Sequence, residues 1–187
     1  MLELQRKVSA TDIIGLKIMI VGDVGRGKTL LTAHILDELV DMSYKDDITV
    51  IDLGPERCGV GYRLKHYSKR VNMVRTLIPK CLKAPRLEGK TAEDVTRIAE
   101  DNVRRIEPLF QQFLSSPTPI LIVNDLSIYL QAGPVETVLQ LINKSDTFVA
   151  NSYLGEKLSN DHGSGLSERE RRAVLILTEK MDRVIHL

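Results

Sequence analysis

Apolar residues along this chain fall into short unbroken runs, separated by longer stretches where they recur at helical spacing. Leu16–Val21 (LKIMIV), Ile48–Leu53 (ITVIDL), Ile120–Asp125 (ILIVND) and Thr147–Asn151 (TFVAN) are runs of the kind that parallel strands show when both faces are covered. Arg183–Leu187 predicts a fifth strand at the end. Between the first two runs, Leu30, Leu31, Ala33, Ile35, Leu36, Leu39 and Val40 predict a helix from Lys28 to about Met42. Thr91 followed by Asp94 predicts a capped start for a long helix over Ala92–Phe113, which Pro117 and Pro119 end. Pro134–Asn143 predicts another helix, with Pro134 suited to its first turn. Ser167 and Glu170 predict a capping box for a last helix running to about Met181. The glycines and prolines of 54–61 forbid regular structure there, and 62–89 predicts one short helix around Ser68–Leu77.

Strands alternating with helices imply an α/β fold of three layers, α/β/α, with a mainly parallel sheet of about five or more strands. The length of 187 residues fits a single domain over 1–187. In such sheets a ligand sits at the carboxyl ends of the strands, which here are Gly22, Asp52, Asp125 and Asn151.

The first strand runs into Gly22-Asp23-Val24-Gly25-Arg26-Gly27-Lys28-Thr29, and Leu30 follows. This is the spacing of a P-loop. Glycines let successive backbone N–H groups turn inward around phosphates, and the helix that begins near Lys28 adds its positive end. Lys28 is expected to reach the β and γ phosphates, and Thr29 to give its hydroxyl to Mg²⁺. The loop and the helix start, Gly22 to Leu30, are the expected nucleotide-binding residues. Asp52 and Asp125 are the expected metal and catalytic carboxylates, beside Lys28, because a strand-end carboxylate near a P-loop can hold a Mg²⁺-bound water. Leu126 follows Asp125, so no catalytic Glu stands there.

The order of these motifs resembles the P-loop class that includes the MinD and nitrogenase-iron-protein ATPases, dethiobiotin synthetase, polynucleotide 5′-hydroxyl kinases and the nickel-insertion GTPases. In that class an Asp-bearing strand follows the P-loop helix directly, as ITVIDLGPE does here. VGDVGRGKT also looks like the loop of the nickel-insertion GTPases. The chain departs from the class at Asp23, where the MinD-like ATPases have a Lys, and at Asp52-Leu53-Gly54, where they have Asp-x-Asp. The metal-binding Cys and His motifs of the nickel GTPases are missing. Asn151 resembles the adenine-contacting Asn of dethiobiotin synthetase, which implies ATP rather than GTP. Asn143-Lys144-Ser145-Asp146 spells a guanine-reading motif, but it follows an expected helix and precedes a strand, so a helix end is the better reading.

Net charge is +1, yet ten bases and only Glu88 as an acid fall between Arg57 and Lys90. This basic segment, 57–90, is inserted between the second and third expected strands. With Tyr62 and Tyr67 interleaved it has the composition to hold an anionic ligand, or it is a basic face balanced by acids elsewhere. Glu56, Arg57 and Arg63 are expected nearest the γ-phosphate, and His162 lies in a glycine-rich loop, 160–165. Aromatics are 4% and Trp is absent, so aliphatic side chains must dominate the core. Two cysteines, Cys58 and Cys81, make no disulfide framework or metal pattern. No signal-like run opens the chain, and no stretch reaches the ~18 apolar residues of a membrane span. These features imply a cytoplasmic protein away from membranes. The expected function is Mg²⁺-dependent binding and hydrolysis of a nucleoside triphosphate as a switch, in a homodimer or on a partner protein. The alternatives are phosphoryl transfer to an anionic substrate, a metallochaperone-type GTPase, or a regulator that binds without turnover.

Overall fold

A computed structural model describes residues 8–56 and 61–187. Arg57 and Cys58 lie outside the described residues. The strands are β1 (Lys17–Gly22), β2 (Ile48–Asp52), β3 (Arg75–Leu77), β4 (Ile120–Asn124), β5 (Thr147–Tyr153) and β6 (Arg183–His186). The helices are α1 (Lys28–Asp41), α2 (Pro85–Glu88), α3 (Ala92–Ser115), α4 (Ser127–Leu130), α5 (Val135–Asn143) and α6 (Leu166–Thr178). The strands form one six-stranded sheet in the order β3-β2-β4-β5-β1-β6, and every pairing is parallel.

Successive strand residues point to opposite faces, and each face builds its own core. Ile18, Ile20, Val50, Ile120, Ile122 and Val149 pack with Ile35, Leu36 and Leu39 of α1. Met19, Val21, Ile51, Leu121, Val123 and Phe148 pack with α3, α4, α5 and α6 through Phe110, Tyr129, Leu141 and Val174. All residues of β2, β4 and β5 are buried, as the unbroken apolar runs require. The scarce aromatics gather on the second face: Phe110, Phe113 and Phe148 are there, and the Phe110 ring lies 4.7 Å from that of Tyr129.

Two expectations about elements need correction. The segment 68–77 is a short 3₁₀ turn, Arg70–Met73, followed by the edge strand β3, instead of a helix. Ser167 and Glu170 form no capping box. The N-cap of α6 is Gly165, at φ 74°, and both residues lie inside the helix. Thr91 does cap α3, accepting the Asp94 N–H at 3.2 Å. Asn143 ends α5 and Lys144 follows as its C-cap, so the 143–146 motif is a helix end at the amino ends of the strands, opposite the glycine loop at their carboxyl ends.

Candidate nucleotide site

The loop between β1 and α1 turns on Gly27, which caps α1 in the left-handed region at φ 87°, where a side chain would be strained. The Lys28 ammonium folds back over the loop and donates to the carbonyl oxygens of Gly22 (2.8 Å) and Asp23 (2.7 Å). Burial lowers the Lys28 pKa, opposed by Asp125, Asp23 and Glu170. The Asp23 carboxylate accepts the N–H groups of Val24 (2.6 Å), Glu156 (3.2 Å) and Lys157 (3.4 Å). Burial opposes its ionisation, but those three N–H groups hold it below the ordinary range. Asp23 therefore ties the segment after β5 to the glycine loop.

A cavity of about 250 Å³ opens here at the carboxyl ends of the strands. Val24 to Leu30 form one wall. Asp125, Ser127, Arg86, Tyr62 and Tyr153 complete the parts that carry polar chemistry. Asp125 follows β4 at φ 58°, with its N–H on the Asn151 Oδ1 at 3.0 Å. Burial pushes its carboxyl up to about 6, against the pull of Lys28. Lys28, Thr29 and Asp125 thus line one cavity.

Asp52 does not line this cavity, although its charge acts on Asp125 from the neighbouring strand. Neighbouring strands lie ~4.8 Å apart, and β4 and β5 both stand between β2 and β1. The Asp52 carboxylate instead accepts the Asn124 amide at 2.7 Å and the Leu64 N–H at 2.9 Å, and so pins the segment after β2. Burial raises its pKa, opposed first by Asn124. Asn151 touches the cavity, but both its amide N–H groups are committed, to Thr32 Oγ1 and Asn124 Oδ1, each at 2.8 Å. Arg63 turns to the Gly54 carbonyl (3.1 Å) and to Glu56 (3.4 Å), and Glu56 is further held by Lys65 and His66. Neither Glu56 nor Arg63 lines the cavity.

Several bases of the basic segment are tied to the fold, while Lys69, Lys80, Lys83 and Lys90 are exposed. Arg70 reaches Asp41 and the Asp37 carbonyl, and Arg75 reaches the carbonyls of Gln112 and Ser116. One of its bases does enter the site. Arg86 lies buried beside Glu170, Nη1 to Oε2 2.6 Å, with 6% and 2% of the two side chains exposed. Its guanidinium also stacks over the Tyr153 ring at 5.1 Å. Burial pushes the Glu170 carboxyl up to about 7, opposed by Arg86. Arg86 was hidden among ten bases. Glu170 does carry a signal: with Leu166, Ala173, Val174 and Leu177 it lies on the buried stripe of α6. A charged residue on such a stripe requires a buried partner.

Fold and loop define a three-layer α/β/α protein of the P-loop type. Among solved structures it is similar to the flagellar accessory protein FlaH from Methanocaldococcus jannaschii, at 11% identity and a TM-score of 0.51, over 93% of this chain and 71% of that one. At this identity the likeness is one of fold. No protein-family model matches the chain. No curated protein matches its sequence. Among the described residues no helix is long and apolar enough to cross a membrane.

Proposed function

We propose that this chain binds a nucleoside triphosphate with Mg²⁺ and hydrolyses it as a nucleotide-dependent switch. The observation that carries the reading is the meeting of the Gly22–Thr29 loop, Lys28 and Asp125 in one cavity at the strand ends. The glycine-bent loop and the N-terminus of α1 favour a polyphosphate. Lys28 would exchange the Gly22 and Asp23 carbonyls for phosphate oxygens. Thr29 and Asp125 fit Mg²⁺, which in nucleotide sites is held by one or two carboxylates together with phosphates and waters. When bound, the ion would neutralise charge that develops on the phosphates. Pro55, Gly61 and Tyr62 also line the cavity, which supports the segment after β2 as the part that responds to the nucleotide.

The test is equilibrium binding of ATP and GTP with Mg²⁺, followed by phosphate release. Lys28→Ala should lose nucleotide affinity at an unchanged melting temperature. Binding by the variant equal to that of the parent would sink the assignment. Phosphoryl transfer is the second reading. It is favoured by a neighbouring cavity of about 480 Å³ that shares Arg86, Tyr153 and Leu158 with the first. Turnover that appears only with an added acceptor would select it.

A further inference from the structure

We propose that Arg86 contacts the terminal phosphate from within the same chain and so distinguishes a nucleoside triphosphate from a diphosphate, with Glu170 as its positioning residue. This rests on the nucleotide reading of the cavity.

Arg86 is brought to the site by a short segment whose backbone is fixed on both sides. The Asn102 side chain of α3 brackets Lys83, accepting its N–H at 3.1 Å and donating to its carbonyl at 2.8 Å. The Ala84 N–H then donates to Glu88 Oε1 at 2.8 Å, and Pro85 sets the first turn of α2. Arg86 projects from this clamp into the wall common to the two cavities.

Its end of the cavity is the phosphate end. Tyr153 carries Arg86 over its ring at 5.1 Å and the Lys28 ammonium at 6.0 Å, so the two cations converge on one side chain. Arg86 also acts electrostatically on Asp125, and Glu170 on Lys28. Lys28, Arg86, Asp125 and Glu170 act on one another as one electrostatic cluster, with Asp23 acting on Lys28 and Asp52 on Asp125, and a terminal phosphate would enter it between the two cations.

Arg86 still has donors to give. A guanidinium carries five N–H donors in a fixed fork. Its contacts with Glu170 Oε2 (2.6 Å) and Ser167 Oγ (3.4 Å) both fall on Nη1, so neither engages Nε or Nη2. Glu170 holds one prong, and the remaining fork suits two oxygens of a phosphate. The Glu170 carboxylate is buried against the Arg86 guanidinium at 2.6 Å. Its role is thus to hold the guanidinium in place.

The experiment compares affinities for a non-hydrolysable triphosphate analogue and for the matching diphosphate, both with Mg²⁺, using the full chain. The parent should prefer the triphosphate. Arg86→Ala should lower triphosphate affinity roughly 10- to 100-fold, the range for a hydrogen bond to a charged group, and leave diphosphate affinity nearly unchanged. Arg86→Lys should recover only part of the preference, because an ammonium lacks the fork. Glu170→Gln should shrink the ratio of triphosphate to diphosphate affinity, which loss of folded protein alone would not do, because an unfolded fraction leaves both dissociation constants unchanged. If removal of Arg86 alone prevents folding, Arg86→Gln combined with Glu170→Gln removes both charges and should show the same lost preference. Equal effects on the two nucleotides, or none on either, would overturn the assignment of Arg86 alone. A parent that binds neither nucleotide would overturn the nucleotide site itself, and this inference with it.

Discussion

Replacement of Asp125 by Asn should make the nucleotide-free protein more stable at pH 8. The Asp125 carboxyl is held at about 6, from an ordinary 3.8, chiefly by burial. A folded pKa above the unfolded one means that the native state binds protons more readily, so stability falls as pH rises from about 4 through 6. Above that window the ionised group costs the native state roughly 2 units at 1.36 kcal/mol each, or about 3 kcal/mol. This is an upper value, since burial of charge is relieved by local relaxation. Asn matches the shape of Asp and tolerates the left-handed backbone found at φ 58°. The variant should thus gain up to about 3 kcal/mol at pH 8, or roughly 6–12 °C in melting temperature for a chain of this size. The gain should shrink as pH falls and vanish near pH 4. The assay is thermal unfolding of both proteins from pH 4 to 8, in chelator and without nucleotide. A variant less stable than the parent at pH 8, or a difference that ignores pH, would refute the reasoning. The same variant should bind Mg²⁺ and nucleotide more weakly, a trade of function for stability at a buried charge.

Two further outcomes follow from the walls of the site. Gly155→Ala would place a Cβ 2.5 Å from Asp23 Cγ and 2.8 Å from its Cα. It should cost about 1–3 kcal/mol by overpacking and weaken nucleotide binding by pushing on the glycine loop, read by thermal unfolding and equilibrium binding. Asn151→Ala strands the polar groups that its amide serves, on Thr32, Asn124 and Asp125. It should lose about 1–3 kcal/mol, while the ratio of ATP to GTP affinity stays as in the parent; a change in that ratio beyond tenfold would return Asn151 to the base.

What the sequence made legible was whatever depends on local pattern. Four strands, β1, β2, β4 and β5, announce themselves because both faces are covered, and the glycine loop because its residue types are needed for its bend. β3 does not, since Arg75-Thr76-Leu77 is a short edge strand with one buried residue and no period to read. Strand order is likewise invisible, because two strands adjacent along the chain need not be neighbours in the sheet. That is why Asp52 looks equivalent to Asp125 in sequence, while three strand spacings, ~14 Å, part β2 from β1. Arg86 and Glu170 stand 84 positions apart in sequence, and only the folded chain joins them.

Asp52 and Asn151 belong to one buried polar chain that links the same parts of the molecule. The Asn124 amide donates to Asp52 at 2.7 Å and to the Tyr62 carbonyl at 3.0 Å. Asn151 donates to Asn124 Oδ1 and to Thr32 Oγ1, and Thr32 in turn donates to the Lys28 carbonyl at 3.0 Å. The direction of every bond is set from one end. An acceptor-only carboxylate at Asp52 forces the NH₂ of Asn124 toward it, which turns the Asn124 oxygen to Asn151, which turns the Asn151 oxygen to the Asp125 N–H. A buried chain of this kind is stable only when every member is satisfied. It therefore holds the start of α1, Asp125 and the segment at Tyr62 in one arrangement. A shift at Lys28 is opposed at Tyr62 through bonds that cannot be reversed singly, and that gives the glycine loop a physical route to the segment after β2.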